Sequence, residues 1–177
     1  MRNLIIYIIT ISSFNLAIPV YAQPASVLNG VFGNVAMEQV GSGKYRKLGF
    51  SIYKVALWAP GGEYDKSKPY ALKVHYLRSL SKDTVVGAVV DDVREQKMAD
   101  DATMDKWEQM LNDALPAVED GDEIVGISIP GKPSRLLFNG QEIASIEDKR
   151  LSDSFFNIWL GDIANPDLRA QLLAKAQ

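Results

Sequence analysis

Two polar side chains interrupt an otherwise apolar and aromatic stretch, Lys44 to Ala59 (KYRKLGFSIYKVALWA). Arg46 carries a permanently charged, bidentate guanidinium, and Tyr53 carries one directional hydroxyl donor. Such a pair can hold a carboxylate or a phenolate. The two residues are seven positions apart, so a regular strand would place them on opposite faces, whereas one β-bulge would bring them to the same face. The alternative is that Arg46 pairs with surface acids and Tyr53 is a core residue.

Motifs for serine catalysis are present only by chance. Two segments fit S-x-x-K, at 51–54 and 79–82, but neither is predicted to begin a helix in which serine and lysine share a face. The segment 126–130 (GISIP) lacks the last glycine of a nucleophile elbow. The only histidine, His75, lies upstream of that serine, whereas a hydrolase of that fold needs a histidine downstream. A Ser-His triad is therefore not expected.

The remaining polar clusters favour structural roles. Asp91-Asp92 is predicted to lie on a solvated helix face, and Asp100-Asp101 is predicted to cap a helix. There is no HExxH motif and no EF-hand loop, so no metal site and no cofactor are predicted. The chain has no cysteine, which excludes disulfides, thiolate catalysis and zinc-thiolate sites. His75 is expected to be a partly exposed strand residue, with a ligand or pH-sensing role as the alternative.

The N-terminus has the features of a secretory signal peptide. One arginine precedes an apolar run from Leu4 to Ile18, and Val20-Tyr21-Ala22 suits a signal peptidase. We expect residues 1–22 to be removed by cleavage after Ala22 and the protein to be periplasmic or secreted. A membrane anchor is the alternative, but the run is shorter than the roughly 20 apolar residues of a spanning helix.

Residues 23–177 have the size of one domain. The full chain carries a net charge of −3, so neither nucleic acid nor an anionic membrane surface is expected as a partner. No membrane span is expected after signal cleavage.

The elements that would position these residues can be outlined from turn signals and periodicity. A weak strand is predicted in 24–40, followed by a hairpin turn at Gly41-Ser42-Gly43 and a central strand over 44–59, bent or bulged because of its length. Further strands are predicted at 70–78, 123–130, 135–138 and 142–146, with a type I′ turn at Asn139-Gly140. Helices are predicted to begin after Ser81, after Asp100 and at Asp148, and Pro166 is predicted to open a short helix at the C-terminus.

The predicted order is three strands, two helices, three strands and two helices. This order favours the α+β class, with an antiparallel sheet and a layer of helices on one face. No internal repeat or linker is apparent.

Several blocks resemble the bacterial chalcone isomerase-like proteins: GSGKYRKLGFSIYKVALWAP, ALKVHYLRSLSK, GDEIVGISIPG, LLFNGQEIASIED and FFNIWLGD. The resemblance extends from about Val35 to Leu173 and implies an open-faced β-sandwich. In the plant enzymes of this superfamily a threonine begins the segment that resembles 53–58 here, so Tyr53 takes its place, as in the fatty-acid-binding relatives. Arg46 is the nearest candidate for the family's arginine.

The resemblance also implies that catalytic groups are missing. The family's tyrosine would fall near 82–84, where there is none, and the polar residue of the late helix corresponds to Ile158. We therefore expect a non-catalytic protein that binds a small apolar or carboxylate-bearing molecule, fatty-acid-like or phenolic. Arg46 and Tyr53 would hold the head group, and Trp58, Phe155 and Trp159 would line the tail. The alternatives are an intramolecular lyase or isomerase with an unknown substrate, and a protein-interaction module with a filled pocket.

Overall fold

The computed structural model describes residues 32–33 and 35–174. The predicted signal peptide and its cleavage site lie outside these residues, as does most of the weak strand predicted in 24–40. None of the helices within the described ranges is long and apolar enough to cross a membrane.

The described chain forms six strands and four long helices in the predicted order. The strands are β1 Met37–Lys47, β2 Phe50–Pro60, β3 Tyr70–Tyr76, β4 Glu123–Ser128, β5 Ser134–Phe138 and β6 Gln141–Ile146. The helices are α1 Lys82–Glu95, α2 Asp101–Ala114, α3 Lys149–Leu160 and α4 Pro166–Leu173. All neighbouring strands are antiparallel, in the spatial order β1-β2-β3-β4-β5-β6. The predicted α+β class and the open-faced antiparallel architecture are confirmed.

The predicted central strand over 44–59 is wrong in one respect, because it contains a hairpin. β1 ends at Lys47, Leu48-Gly49 form a two-residue turn, and β2 begins at Phe50. Both turn residues have positive φ, 51° and 81°, as a type I′ turn requires. A leucine at the first turn position gave no turn signal in the sequence. β2 therefore lies inside the sheet, one position from the edge strand β1.

The predicted turn at Gly41-Ser42-Gly43 is also wrong, since these residues lie inside β1. Gly41 and Gly43 allow α4 to pack closely against β1. A Cβ on Gly41 would come within 2.7 Å of the carbonyl oxygen of Ala174 and closer still to those of Gln171 and Leu172. Only a residue without a side chain allows the end of α4 to lie this close to the strand.

Helix starts agree with the predicted caps. The side chain of Ser81 accepts a hydrogen bond from the backbone N–H of Thr84, and Asp100 accepts one from that of Thr103. Asp148 caps α3 and also accepts a hydrogen bond from Nε1 of Trp107 on α2, at 3.1 Å. These bonds satisfy N–H groups that a helix leaves unpaired at its start.

The two faces of the sheet differ. The main core lies between one face and the helices, and includes Leu57, Leu72, Leu136 and Phe156. The outer face carries a smaller apolar cluster around Trp58, Ala71 and Ile127. Beside it Glu123 forms an ion pair with Lys73 at 2.5 Å, and its Oε1 lies within hydrogen-bond distance of Nδ1 of His75, at 3.3 Å. His75 is thus a partly exposed strand residue, as expected.

Candidate functional site

A cavity of about 390 Å³ lies between the helix-covered face of the sheet and the helices. Its walls come from β1, β2, β3 and β4 on the sheet side and from α1, α3 and the start of α4 on the helix side. Most of the wall is aliphatic or aromatic, and includes Val74, Val85, Leu115, Ile124 and Leu168. It is therefore a mainly apolar chamber with few polar groups.

A row of three tyrosines forms the sheet side of this chamber. Register places Tyr53 opposite Tyr45 on β1 and opposite Tyr76 on β3, so all three side chains point to the same face. The rings of Tyr45 and Tyr53 stack with centroids 5.0 Å apart, and Tyr76 meets Tyr53 edge to face at 6.1 Å. Cross-strand pairing thus brings together residues that are far apart in sequence.

α3 supplies the opposite aromatic wall. Phe155 and Trp159 are one turn apart, and their rings meet edge to face at 5.5 Å. Nε1 of Trp159 donates a hydrogen bond to the hydroxyl oxygen of Tyr53 at 3.1 Å. This bond joins helix and sheet across the cavity and leaves the Tyr53 proton available to another acceptor.

Burial favours the protonated form of the Tyr53 and Tyr76 hydroxyls. Desolvation raises the pKa of Tyr53 well above its usual range, although the hydrogen bond from Trp159 opposes this shift. Burial alone raises the pKa of Tyr76 to about 12. The Tyr76 hydroxyl makes no hydrogen bond with any described residue. At neutral pH the cavity therefore offers neutral donors and no phenolate.

Charged groups are confined to the rim. Lys47 lies there on the hairpin side, with Asp91 and Asp92 on α1. The pKa of Asp92 is raised, first by loss of solvation and then by Glu95 and Asp91, while Lys47 opposes the shift. Because a lysine and two aspartates lie at the rim, an incoming polar group meets both signs of charge at the entrance. Farther along the cavity wall, Gln96 donates a hydrogen bond to the backbone oxygen of Ser154 at 2.7 Å, and its own side-chain oxygen is buried without a partner in the described chain.

Of the five predicted ligand-binding residues, Tyr53, Phe155 and Trp159 line the cavity. Arg46 does not. The register contains a bulge next to Tyr45, but the extra residue, Ile52, belongs to β2. β1 therefore keeps its alternation, and Lys47 rather than Arg46 follows Tyr45 to the cavity face. Arg46 is exposed. The sequence left open whether Arg46 and Tyr53 share a pocket, and in this structure they do not line the same cavity.

Trp58 also lies away from the cavity. It is five residues from Tyr53, an odd separation, so it faces the outer side of the sheet and packs with the outer cluster. Its Nε1 is buried without a hydrogen-bond partner in the described chain. Trp58 therefore cannot line the same chamber as Phe155 and Trp159.

The positions implied by the family resemblance do lie at the cavity. Ile158 lines it from α3, and Thr84 lines it from the start of α1. The sequence comparison placed no phenol near 82–84, but Tyr76, the last residue of β3, brings one into the same chamber. No group of three or more His, Cys, Asp or Glu side chains suited to a metal ion occurs in residues 32–33 and 35–174.

Sequence reasoning missed most of the residues that line the cavity, among them Tyr45, Lys47, Tyr76 and Asp92. Tyr76 carried a usable signal, since it alternates in phase with Leu72 and Val74 on a predicted strand. Tyr45 and Lys47 required knowledge of the turn at 48–49. Asp92 was assigned to solvent because helical spacing alone does not reveal a cavity beside the helix.

Comparisons with known proteins agree with this architecture. The family model described as chalcone isomerase-like matches residues 31–174. A fatty-acid binding protein from Arabidopsis thaliana has a similar structure, with a TM-score of 0.61 and 16% sequence identity. The alignment covers 80% of this chain and 88% of the plant chain. A search of curated proteins finds no significant match.

Proposed function

Because the chain belongs to the chalcone isomerase-like family, we propose that it binds a small, largely apolar molecule bearing a carboxylate or another hydrogen-bond acceptor, without catalysing a reaction. The cavity of about 390 Å³ beside Tyr53 and Tyr76 carries this proposal. Binding sites for small molecules are typically chambers of about 300 to 1,000 Å³, mainly apolar, with a few well-placed polar groups.

The polar groups define the ligand class. Tyr53 and Tyr76 are neutral donors, because their pKa values are raised, and Lys47 is a cation at the rim. Together they suit a carboxylate or phenol at one end of an apolar body. The similar plant protein is a fatty-acid binding protein, which supports fatty-acid-like or phenolic acids as ligands. In this proposal Lys47 takes the part first assigned to Arg46.

The two alternatives have less support. A lyase or isomerase of the family type needs groups that stabilise charge on a carbonyl oxygen and a base that is ionised at working pH. The phenols here have raised pKa values, and Ile158 supplies no polar group. A protein-interaction module with a filled pocket is disfavoured by the open volume.

The binding proposal is tested by calorimetry with decanoate and with a phenolic acid such as cinnamate. Replacing Tyr76 by Phe removes one donor and is expected to weaken binding about fivefold to tenfold, the equivalent of one hydrogen bond of about 1 kcal/mol. Lys47→Gln should also weaken binding, whereas Arg46→Gln should not. Tyr64→Phe, outside the cavity lining, is the matched control and should leave affinity unchanged.

Two results would contradict the proposal. One is the absence of any saturable binding by either class of acid. The other is equal affinity for the wild type, Tyr76→Phe and Lys47→Gln, because binding would then occur elsewhere.

We further propose that the domain acts outside the cytoplasm, since residues 1–22 have the pattern of a signal peptide. Cell fractionation should place the protein in the periplasm or medium. Sequencing of its N-terminus should begin at Gln23, and an unprocessed Met1 would contradict export by cleavage.

A further inference from the structure

The tip of the β1–β2 hairpin exposes two large apolar side chains. Leu48 is 90% exposed and Phe50 is 61% exposed. Within the described ranges these are the two most exposed large hydrophobic residues, and only Gly49 separates them. Scattered single apolar residues are normal on a protein surface, but a pair at one protruding tip is a mark of an interaction site.

The fold itself gives no reason for leucine at this turn. Leu48 has φ of 51°, a left-handed conformation that is strained for residues other than glycine, asparagine or aspartate. Its side chain is almost entirely in solvent, so it offsets little of this strain by packing. A role at the surface would explain why an apolar residue occupies a position that favours asparagine.

Cations surround the tip. Residues 44–54 include Lys44, Arg46, Lys47 and Lys54 and no acidic residue, although the whole chain has a net charge of −3. The guanidinium of Arg78 lies 5.0 Å from the centre of the Phe50 ring. The nearby carboxylates, Asp91 and Asp92, lie across the cavity rim. The tip is thus a local basic patch on an acidic protein.

This tip lies at the entrance of the cavity. Tyr45, Lys47 and Ile52, on either side of the turn, all line it. Ile163, in the loop between α3 and α4, also lines it and is 56% exposed. Apolar surface therefore continues from the hairpin and this loop into the chamber.

We propose that the hairpin tip docks on an anionic lipid bilayer. Leu48 and Phe50 enter the boundary between head groups and acyl chains, and Arg46, Lys47 and Arg78 contact the anionic head groups. The cavity entrance then faces the membrane, so that an apolar ligand can pass between bilayer and protein without crossing water. The passage of a ligand between bilayer and cavity rests on the ligand-binding function proposed above, whereas docking on the bilayer does not. The negative net charge of the whole chain does not predict such a surface, because the cations are concentrated at the hairpin.

Docking is tested by co-sedimentation with vesicles of phosphatidylcholine alone or mixed with phosphatidylglycerol, at low and high salt. The wild type should bind the mixed vesicles and lose affinity as salt rises. The double variant Leu48→Asn/Phe50→Thr should bind about tenfold more weakly. Arg46→Gln/Arg78→Gln should bind the mixed vesicles about thirtyfold more weakly, since each cation near an anionic surface contributes about 1 kcal/mol.

Controls separate docking from folding and from ligand binding. Asparagine suits the backbone at position 48, so the tip variant should unfold at a temperature no lower than that of the wild type. Its affinity for decanoate in solution should equal that of the wild type, which makes failure of docking distinguishable from failure of ligand binding. The control Val35→Ser replaces an exposed apolar residue (40% exposed) that precedes β1, at the end of the strand away from the tip. This variant should bind vesicles as the wild type does.

Three outcomes would overturn the proposal. The first is no binding of the wild type to mixed vesicles at low salt. The second is equal binding by the wild type and the tip variant. The third is self-association of the wild type that the tip variant abolishes, without vesicle binding, because the tip would then serve a second copy of the chain.

Discussion

The sheet contains two hairpins with the same two-residue turn but different residues in it. In β5–β6 the turn is Asn139-Gly140, with φ of 48° and 84°. In β1–β2 it is Leu48-Gly49, with φ of 51° and 81°. Asparagine tolerates the left-handed region and leucine does not. The backbone geometry is therefore equivalent, while the reasons for the first turn residue must differ.

The contacts of the two residues show this difference. The side-chain oxygen of Asn139 accepts a hydrogen bond from the backbone N–H of Glu123, and its side-chain nitrogen donates to Asp122, both at 2.9 Å. Asn139 thus ties its turn to the start of β4. Leu48 is exposed, and its hairpin is held instead through the glycine-bearing face of β1 against α4. A turn residue that contributes nothing to the fold is a candidate for function.

The largest effect should come from the glycine anchor of the first hairpin. Gly41→Ala would place Cβ against backbone carbonyls of α4, which cannot move as a side-chain end can. We expect a loss of about 3 kcal/mol in the free energy of unfolding, measured by urea denaturation. Gly87→Ala in α1 is the control, since nothing lies within 4 Å of its added Cβ. That control should be slightly stabilising. An equal loss of unfolding free energy in both variants would contradict the requirement for glycine at position 41.

The second hairpin should be sensitive to its turn residue. Asn139→Leu reproduces the composition of the first turn, adds strain and removes two hydrogen bonds. A loss of about 2 to 3 kcal/mol is expected. Chemical denaturation would measure it. An unchanged free energy of unfolding in Asn139→Leu would mean that the asparagine does not stabilise its turn.

The reverse exchange should stabilise the first hairpin. Leu48→Asn relieves backbone strain and removes no packing contact, so we expect a gain of about 1 kcal/mol. For a domain of this size that gain raises the unfolding temperature by about 2 to 4 °C. Differential scanning calorimetry would detect the change. A lower unfolding temperature would indicate that Leu48 supports the fold.

The smallest effect concerns Asp92, which lies near Lys47 of the first hairpin. Its pKa is raised in the folded protein, so the folded state holds this proton more tightly than the unfolded state, whose aspartates titrate near 3.9. Ionisation of Asp92 therefore opposes folding. Stability is lost as pH rises from the unfolded pKa through the folded one.

Asp92→Asn should accordingly be a few tenths of a kcal/mol more stable than the wild type at neutral pH, a small gain because solvent screens an exposed carboxylate. The difference should vanish below the unfolded pKa of about 3.9. Urea denaturation across this pH range would show it, and a constant difference at all pH values would exclude titration as the cause.

Much of the fold could be predicted because its signals are local. The order of strands and helices followed from periodicity, and the caps Ser81, Asp100 and Asp148 and the turn at Asn139 followed from residue type. The first hairpin could not be predicted in the same way. Its turn begins with leucine, and the glycines that suggested a turn are required by contact with α4, which lies more than a hundred residues later.

Site residues could be predicted together only where they lie on the same helix. Phe155 and Trp159 share a helix face, and both reach the cavity. Arg46 and Trp58 were placed with Tyr53 because they are near it in sequence, but the alternation of side chains along the strands directs them away from the cavity. Tyr45 and Tyr76 join Tyr53 through strand register, which depends on pairing that a single sequence does not display.

The hydrogen bond between Trp159 and Tyr53 has a practical consequence. The indole of Trp159 lies in the cavity wall, whereas Trp107 is bound to Asp148 and Trp58 lies on the outer face. A molecule that enters the chamber changes the polarity around one indole and leaves the surroundings of the other two intact. In the double variant Trp58→Phe/Trp107→Phe, the intrinsic fluorescence of Trp159 would report ligand binding in the cavity without an added label.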